Sequence, residues 1–201
     1  MTLYIVIATV LLSLLALSKR EISNNLIFNP YMVSRHKQWY RLLTAGFIHA
    51  DFIHLFVNMF VLYSFGPVVE RQFTMILGDT GPVIFLVYYL IGLVVSILPT
   101  YFKQKENYLY NGLGASGSVS AVLFTFILFF PWQKIYLYGL IGIPGVLAGV
   151  GYLWLSGYMD KKGGDNINHN AHFWGAIYGV IFPITIAPGI FLHFINQLLN
   201  F

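Results

Sequence analysis

Residues 111–123 read Asn-Gly-Leu-Gly-Ala-Ser-Gly-Ser-Val-Ser-Ala-Val-Leu. Three glycines surround Ser116, and an uncharged apolar segment follows it as far as Phe130. Glycine lets the backbone turn sharply and approach other groups closely, so Ser116 is expected where a tight loop becomes a helix buried in lipid. The first N–H groups of a helix lack partners and carry the positive end of its dipole. A nucleophile and a developing oxyanion could both be accommodated there.

The composition around this stretch is that of a membrane protein. Of 201 residues, 58% are hydrophobic, 18% aromatic and only 9% charged, against about a quarter charged in soluble domains. There is no cysteine, which removes disulfides, thiolate chemistry and cysteine-based metal sites. The net charge of +4 is scattered over loops, without the basic run that a nucleic-acid surface needs. Nucleic acid is therefore excluded as a partner, and the lipid bilayer is expected as one.

Apolar segments outward from Ser116 predict an all-α membrane bundle: one domain over 1–201 with six spans at about 2–18, 52–70, 81–102, 114–131, 135–159 and 168–187. No basic n-region precedes the first run, which reads as a membrane helix rather than a cleaved signal. The polar and aromatic residues 19–51 suit a membrane–water interface and form a connection long enough to fold on its own. Glu70-Arg71 closes the second span, the fifth contains Pro144 and many glycines, and the sixth stops at Pro183 and Pro188. The tail to Phe201 is too short to span and is expected along the surface.

With six spans, helices two, four and six enter from one face, and His54, Asn58, Ser116 and His172 fall in their first turns. His54 and Asn58, four apart, share one helix face. His172, Gly175 and Gly179 form a stripe whose small residues permit close helix contact. If that stripe packs on the Gly117/Ser120/Ala121 face, Ser116 and His172 meet. Polar groups at such depth are functional candidates, although each alone is more often helix-to-helix glue. The chemistry permitted is acyl transfer: Ser116 as nucleophile, His172 as general base, and the Ser116 N–H with Asn58 and His54 as oxyanion donors. The seven carboxylates lie in loops or at helix ends, so a dyad is expected rather than a triad. A metal reading through His49, His54, His169 and His172 lacks any His-Glu-x-x-His pattern, and no cofactor is implied. His193 reads as an interfacial side chain, and His169 as a loop residue.

Gly-Ala-Ser-Gly at 114–117, His-Ala-Asp-Phe-Ile-His-Leu-Phe-Val-Asn at 49–58 and Ala-His-Phe-Trp-Gly-Ala-Ile-Tyr-Gly at 171–179 together resemble the rhomboid family of intramembrane serine proteases, in particular its bacterial six-span members. The resemblance covers nearly the whole chain. It implies an endopeptidase that cleaves membrane-spanning protein substrates in or beside their transmembrane segments, with Ser116 and His172 catalytic and Asn58, His54 and Gly114 at the oxyanion and substrate site. It also implies structural roles near the site for His49, bonded to the first loop, and for Arg41, Gly175 and Gly179. It points to a multi-pass protein of the bacterial plasma membrane; oligomeric state is left open. A second reading, keeping the fold without catalysis, is a membrane chaperone or adaptor.

Two features depart from the family pattern. Tyr40 stands where the family has a tryptophan before its arginine. Ser120 stands where well-known bacterial members have a tyrosine packing on the catalytic imidazole, and Asn168 and Asn170 are the candidates to orient His172 instead. The cations Lys19, Arg20, Arg35, Lys37, Arg41, Lys103, Lys105, Lys161 and Lys162 crowd the Ser116 face, against Arg71 and Lys134 opposite. The positive-inside rule would turn that face to the cytoplasm, while the resemblance turns it outward, and the resemblance is followed. A substrate helix must unwind to be cut, which favours small or helix-breaking residues at the scissile bond. The fifth helix and residues 160–168 read either as a lateral gate or as a tightly packed glycine helix.

Overall fold

The computed structural model describes residues 1–137, 140–164 and 167–199. Residues 165 and 166, part of the loop expected at 160–168, lie outside the described residues. The chain is mostly helical: α1 (Thr2–Ser18), α2 (Arg20–Leu26), α3 (Pro30–His36), α4 (Arg41–Thr44), α5 (Phe52–Leu77), α6 (Gly81–Gln104), α7 (Ser116–Phe129), α8 (Gly145–Lys162), α9 (His169–Ile186) and α10 (Gly189–Leu199), with a hairpin of β1 (Lys134–Leu137) and β2 (Ile141–Pro144) between α7 and α8.

An apolar core that includes Phe73, Phe85 and Val122 is accompanied by an apolar exterior. Large apolar side chains such as Phe52, Ile53, Phe56, Phe60 and Trp154 face outward, while small polar ones such as Thr9, Ser13, Ser96, Ser118 and Thr125 are buried. Small polar residues at helix contacts let backbones come close and hydrogen-bond across. A network of this kind ties the centre: Tyr178 Oη donates to the Tyr88 carbonyl (3.0 Å), Tyr88 Oη meets Thr125 Oγ1 (2.6 Å), and Thr125 Oγ1 donates to the Gly179 carbonyl (2.6 Å).

By length and apolarity, one stretch among the described residues is sufficient to cross a membrane, Phe52–Gln104, which holds α5, a 3-10 turn and α6. The pair α9 and α10, bent by 116°, passes the same test together, whereas α1 and α7 are apolar but shorter. Register fixes directions. Gly117 and Ala121 of α7 meet Gly175 and Gly179 of α9 in ascending order, so these helices are parallel. Both run against α6, where Ser118 bonds the Tyr89 carbonyl and Tyr88 stacks on Tyr178. With Phe73 of α5 on Phe85 and Tyr88 of α6, α5 is antiparallel to α6 as well. The N-termini of α5, α7 and α9 therefore lie at one level.

Three boundaries differ from the sequence expectation. The second span does not close at Glu70-Arg71: α5 continues through Pro67 to Leu77, because the Glu70 carboxylate is engaged by the Met1 amino group and by Thr2 N (2.8 Å) and Oγ1 (2.7 Å) at the start of α1. The fifth helix does not begin at Ile135, since its expected first part forms the hairpin, with Ile135 opposite Ile143. Pro144, which has no N–H to donate, ends the hairpin and is the N-cap of α8. Pro183 does not stop the sixth helix but is contained within α9. The tail is a helix, α10, tucked against the end of α7: the His193 ring meets the Phe129 carbonyl (3.1 Å), Trp132 Nε1 donates to the Gln197 carbonyl (2.8 Å), and Ile190 is buried.

Residues 19–51 do form a substructure of their own. Asn29 caps α3 by accepting from Met32 N (2.9 Å), Lys37 ends it in the left-handed conformation, and Arg41 and Thr44 reach back to carbonyls of Asn24, Ile27 and Leu26. A bridge between Phe28 and Gly112 joins this loop to the segment before Ser116.

Candidate active site

Ser116 is the first residue of α7 and half-buried. The turn before it is held by each of its amides in sequence. Gly114 N donates to the Ala45 carbonyl (2.9 Å), and Ala115 N donates to His49 Nε2 (3.3 Å). The N–H groups of Ser116 and Gly117 have no acceptor among the described residues, as the first turn of a helix dictates. Gly114 has φ +113°, and a side chain there would reach within 2.7 Å of His54 Cε1. Both the backbone conformation and the imidazole demand glycine at that position.

His49 is buried, and its bonds define its tautomer. Nε2 accepts from Ala115, so the proton sits on Nδ1, which donates to Ser13 Oγ (2.9 Å), while Ser13 Oγ donates to the Phe47 carbonyl (2.9 Å). Burial, then the neighbouring His54 ring, push its pKa down to about 3, with Asp51 opposing. His49 thus does not bond the first loop, as expected from sequence, but ties α1 to the residue preceding Ser116. The imidazole of His54 packs edge-on against it, 4.9 Å between centroids.

His172 lies in the first turn of α9, whose N-cap Asn168 accepts from Ala171 N (3.1 Å). One turn further, Gly175 sits directly on the Gly117 carbonyl, and a second turn on, Gly179 sits on that of Ala121. These contacts bring the two helix starts together. Ser116, Gly114 and Gly117 share with Asn168 and Ala171 a cavity of about 30 Å³, room for a water molecule. Asn58 is buried on α5, and its amide nitrogen donates to the His54 carbonyl (2.9 Å) within its own helix.

What accompanies the His172 ring was not foreseen. Asn168 accepts from Thr100 Oγ1 of α6 (3.1 Å), and Asn170 Nδ2 reaches Asp160 Oδ2 of α8 (3.4 Å). It is Tyr152 of α8 whose ring lies along His172, 6.2 Å away at 20°, while its hydroxyl bonds Ser120 Oγ (2.5 Å). His169, the first residue of α9 rather than a loop residue, packs edge-on against His172 at 5.8 Å. The signal for Tyr152 in the sequence was only indirect: a hydroxyl at 120 where an aromatic ring was anticipated. Arg41 is not at this site; it holds the first loop.

Comparison with known proteins bears on the whole bundle. The family description "Rhomboid domain" matches residues 36–189. The chain is 28% identical to RHOMBOID-like protein 12, mitochondrial, of Arabidopsis thaliana over 191 residues, 86% of this chain and 55% of that protein. It is 27% identical to Putative rhomboid protease YdcA of Bacillus subtilis, over 72% of this chain and 65% of that one. It is 29% identical to Inactive RHOMBOID-like protein 8 of Arabidopsis thaliana, over 46% of this chain and 24% of that one. The chain therefore spans between half and two thirds of the length of the first two relatives, and they do not single out the bacterial subtype that the resemblance suggested. A match running through most of the chain, from the end of α3 to the start of α10, establishes that it belongs to the rhomboid family, whose members are integral to membranes.

Proposed function

We propose that this chain is a serine endopeptidase acting inside the membrane, on peptide bonds in or beside the transmembrane segments of other proteins. Ser116 Oγ attacks the scissile carbonyl as His172 takes its proton, and His172 then protonates the leaving amine. The oxyanion is held by the open N–H of Ser116, with His54 and the second N–H of Asn58 as further donors. The carrying observation is the seating of Gly175 on the Gly117 carbonyl, which brings the first turns of α7 and α9 to one level beside a water-sized cavity.

The bilayer is crossed, in this reading, by α1, α5, α6, α7, α8 and α9. Its compartment is left at a membrane, since one relative's name is mitochondrial and another relative is bacterial. For α8, the gate reading is favoured over tight packing. A side chain added at Gly151 or Gly157 would meet nothing within 4 Å, so close contact does not account for those two, whereas Gly145 and Gly149 do pack closely, against Pro131, Gln133, Ile127 and Phe124.

The test is incubation of the purified, detergent-solubilised protein with a fluorogenic transmembrane substrate. Cleavage that disappears in both Ser116→Ala and His172→Ala is expected. Equal cleavage by either variant, or none by the wild type in bilayers as well as detergent, overturns the proposal in favour of a non-catalytic adaptor.

A further inference from the structure

We propose that the recess beside Arg41 is a binding site for a phosphate group, carried by a phospholipid headgroup or free in solution. Arg41 is only 5% exposed, and a guanidinium is a cation. Buried charges are ordinarily paired with opposite charge. Every acceptor Arg41 meets is neutral: Nη1 donates to the carbonyls of Asn24 (2.8 Å) and Ile27 (2.7 Å), and Nε to Gln38 Oε1 (2.5 Å). The Tyr40 ring lies 5.6 Å from Cζ. Arg41 forms no ion pair among the described residues, and its Nη2 has no acceptor among them.

Arg41 also lines an open recess of about 260 Å³ with Asn24, Ile27, Asn29, Met32 and Asn111, none of them acidic. The Asn29 amide already donates to the Tyr108 carbonyl (3.0 Å) and Asn111 Oδ1 (3.2 Å). The exposed amide of Asn24 bonds nothing among the described residues, and that of Asn111 makes one long bond, 3.4 Å to the Leu109 carbonyl. Arg41 and the side-chain amides of Asn24 and Asn111, with donors to spare, thus belong to residues that line one volume. That donor set suits the several oxygens of a phosphate.

The surroundings select the same anion. Lys19, Arg20 and Lys37 of this loop form no ion pair among the described residues, whereas Arg35 pairs with Glu106. Exposed Trp39 and Tyr40 flank the arginine and suit the headgroup level of a bilayer, where phosphate is the abundant anion. The inference does not depend on the protein being a protease.

The experiment uses the full chain in a maltoside detergent and reads the thermal midpoint against concentration of two probes, inorganic phosphate and dihexanoyl phosphatidylglycerol. Asn24→Asp and Asn111→Asp place a negative charge in the recess; the first removes no bond and the second keeps the oxygen that accepts from Asn29. Asn25→Asp, next door but outside the recess, carries the same charge change. Binding that weakens by about tenfold or more in the two recess variants, and by less than about twofold in Asn25→Asp, is expected. Response to both probes assigns the site to phosphate from either source, and response to the lipid alone assigns it to a headgroup. No response to either probe, or equal weakening by Asn25→Asp, overturns the proposal.

Discussion

Tyr152 and His172 lie nearly parallel, 6.2 Å between ring centroids, with the tyrosine hydroxyl tied to Ser120 on a third helix. The ring is held by α8, the helix read as the gate, so the seat of α8 and the attitude of the proposed base are linked. Replacing Tyr152 by Ala is expected to lower kcat by roughly a hundredfold with a small change in KM, the scale of a misplaced catalytic group. Tyr152→Phe and Ser120→Ala keep the ring and are expected to retain most of the activity. Steady-state kinetics on a transmembrane substrate read the split; a Tyr152→Ala enzyme with unchanged kcat removes the positioning role.

The glycines divide into two groups with opposite expected signs. At Gly175 and Gly179 an added methyl would run into the backbone of Gly117 and Ala121; overpacking of this kind costs about 1–3 kcal/mol or more, so Gly175→Ala and Gly179→Ala are expected to lower the thermal midpoint. At Gly151 and Gly157 the space is open. Alanine there is expected to stabilise α8 by about 0.5–1 kcal/mol. Thermal unfolding in detergent distinguishes the groups.

Acid is expected to loosen the Ser116 turn through His49. Its folded pKa is about 3 against an ordinary 6.5, so between these values the unfolded chain binds a proton that the native protein does not. Its contribution is complete above about pH 6.5 and is lost as pH falls toward 3. Thermal midpoints measured from pH 7.5 down to 4 are expected to decline, and more shallowly in His49→Gln. A His49→Gln protein with the wild-type slope assigns the decline to other groups.

Asn168→Ala removes the side-chain cap of α9 and the bond from Thr100. Loss of stability of about 0.5–2 kcal/mol is expected, the range for cap deletions. Asn168→Asp, which keeps both acceptor contacts, is expected to restore most of it in chemical denaturation.

The sequence disclosed much of this arrangement because its strongest signals were local. Apolar runs marked the helices, and the stripe of His172, Gly175 and Gly179 at helical spacing anticipated the α7–α9 contact. What escaped it was non-local. The charges of Glu70 and Arg71 read as a helix end until Glu70 is seen to be neutralised by the start of α1, 69 residues away in sequence. The segment 135–144 is as apolar as a buried helix, and only its β-branched residues and Pro144 hinted at a hairpin. Tyr152 could not be assigned to His172 by spacing, since the two lie on different helices and the tyrosine hydroxyl is tied to Ser120 of a third.

The fourteen residues of α7 extend about 21 Å, well short of the roughly 30 Å of hydrocarbon in an ordinary bilayer. Its far end is plugged by α10 through His193 and Trp132 instead of being prolonged toward the opposite surface. A lipid sheet surrounding this bundle must pinch inward beside α7 or leave part of the hairpin and α10 submerged. In either case, the adjustment falls at the far end of α7, away from Ser116, whose level is set with the N-termini of α5 and α9.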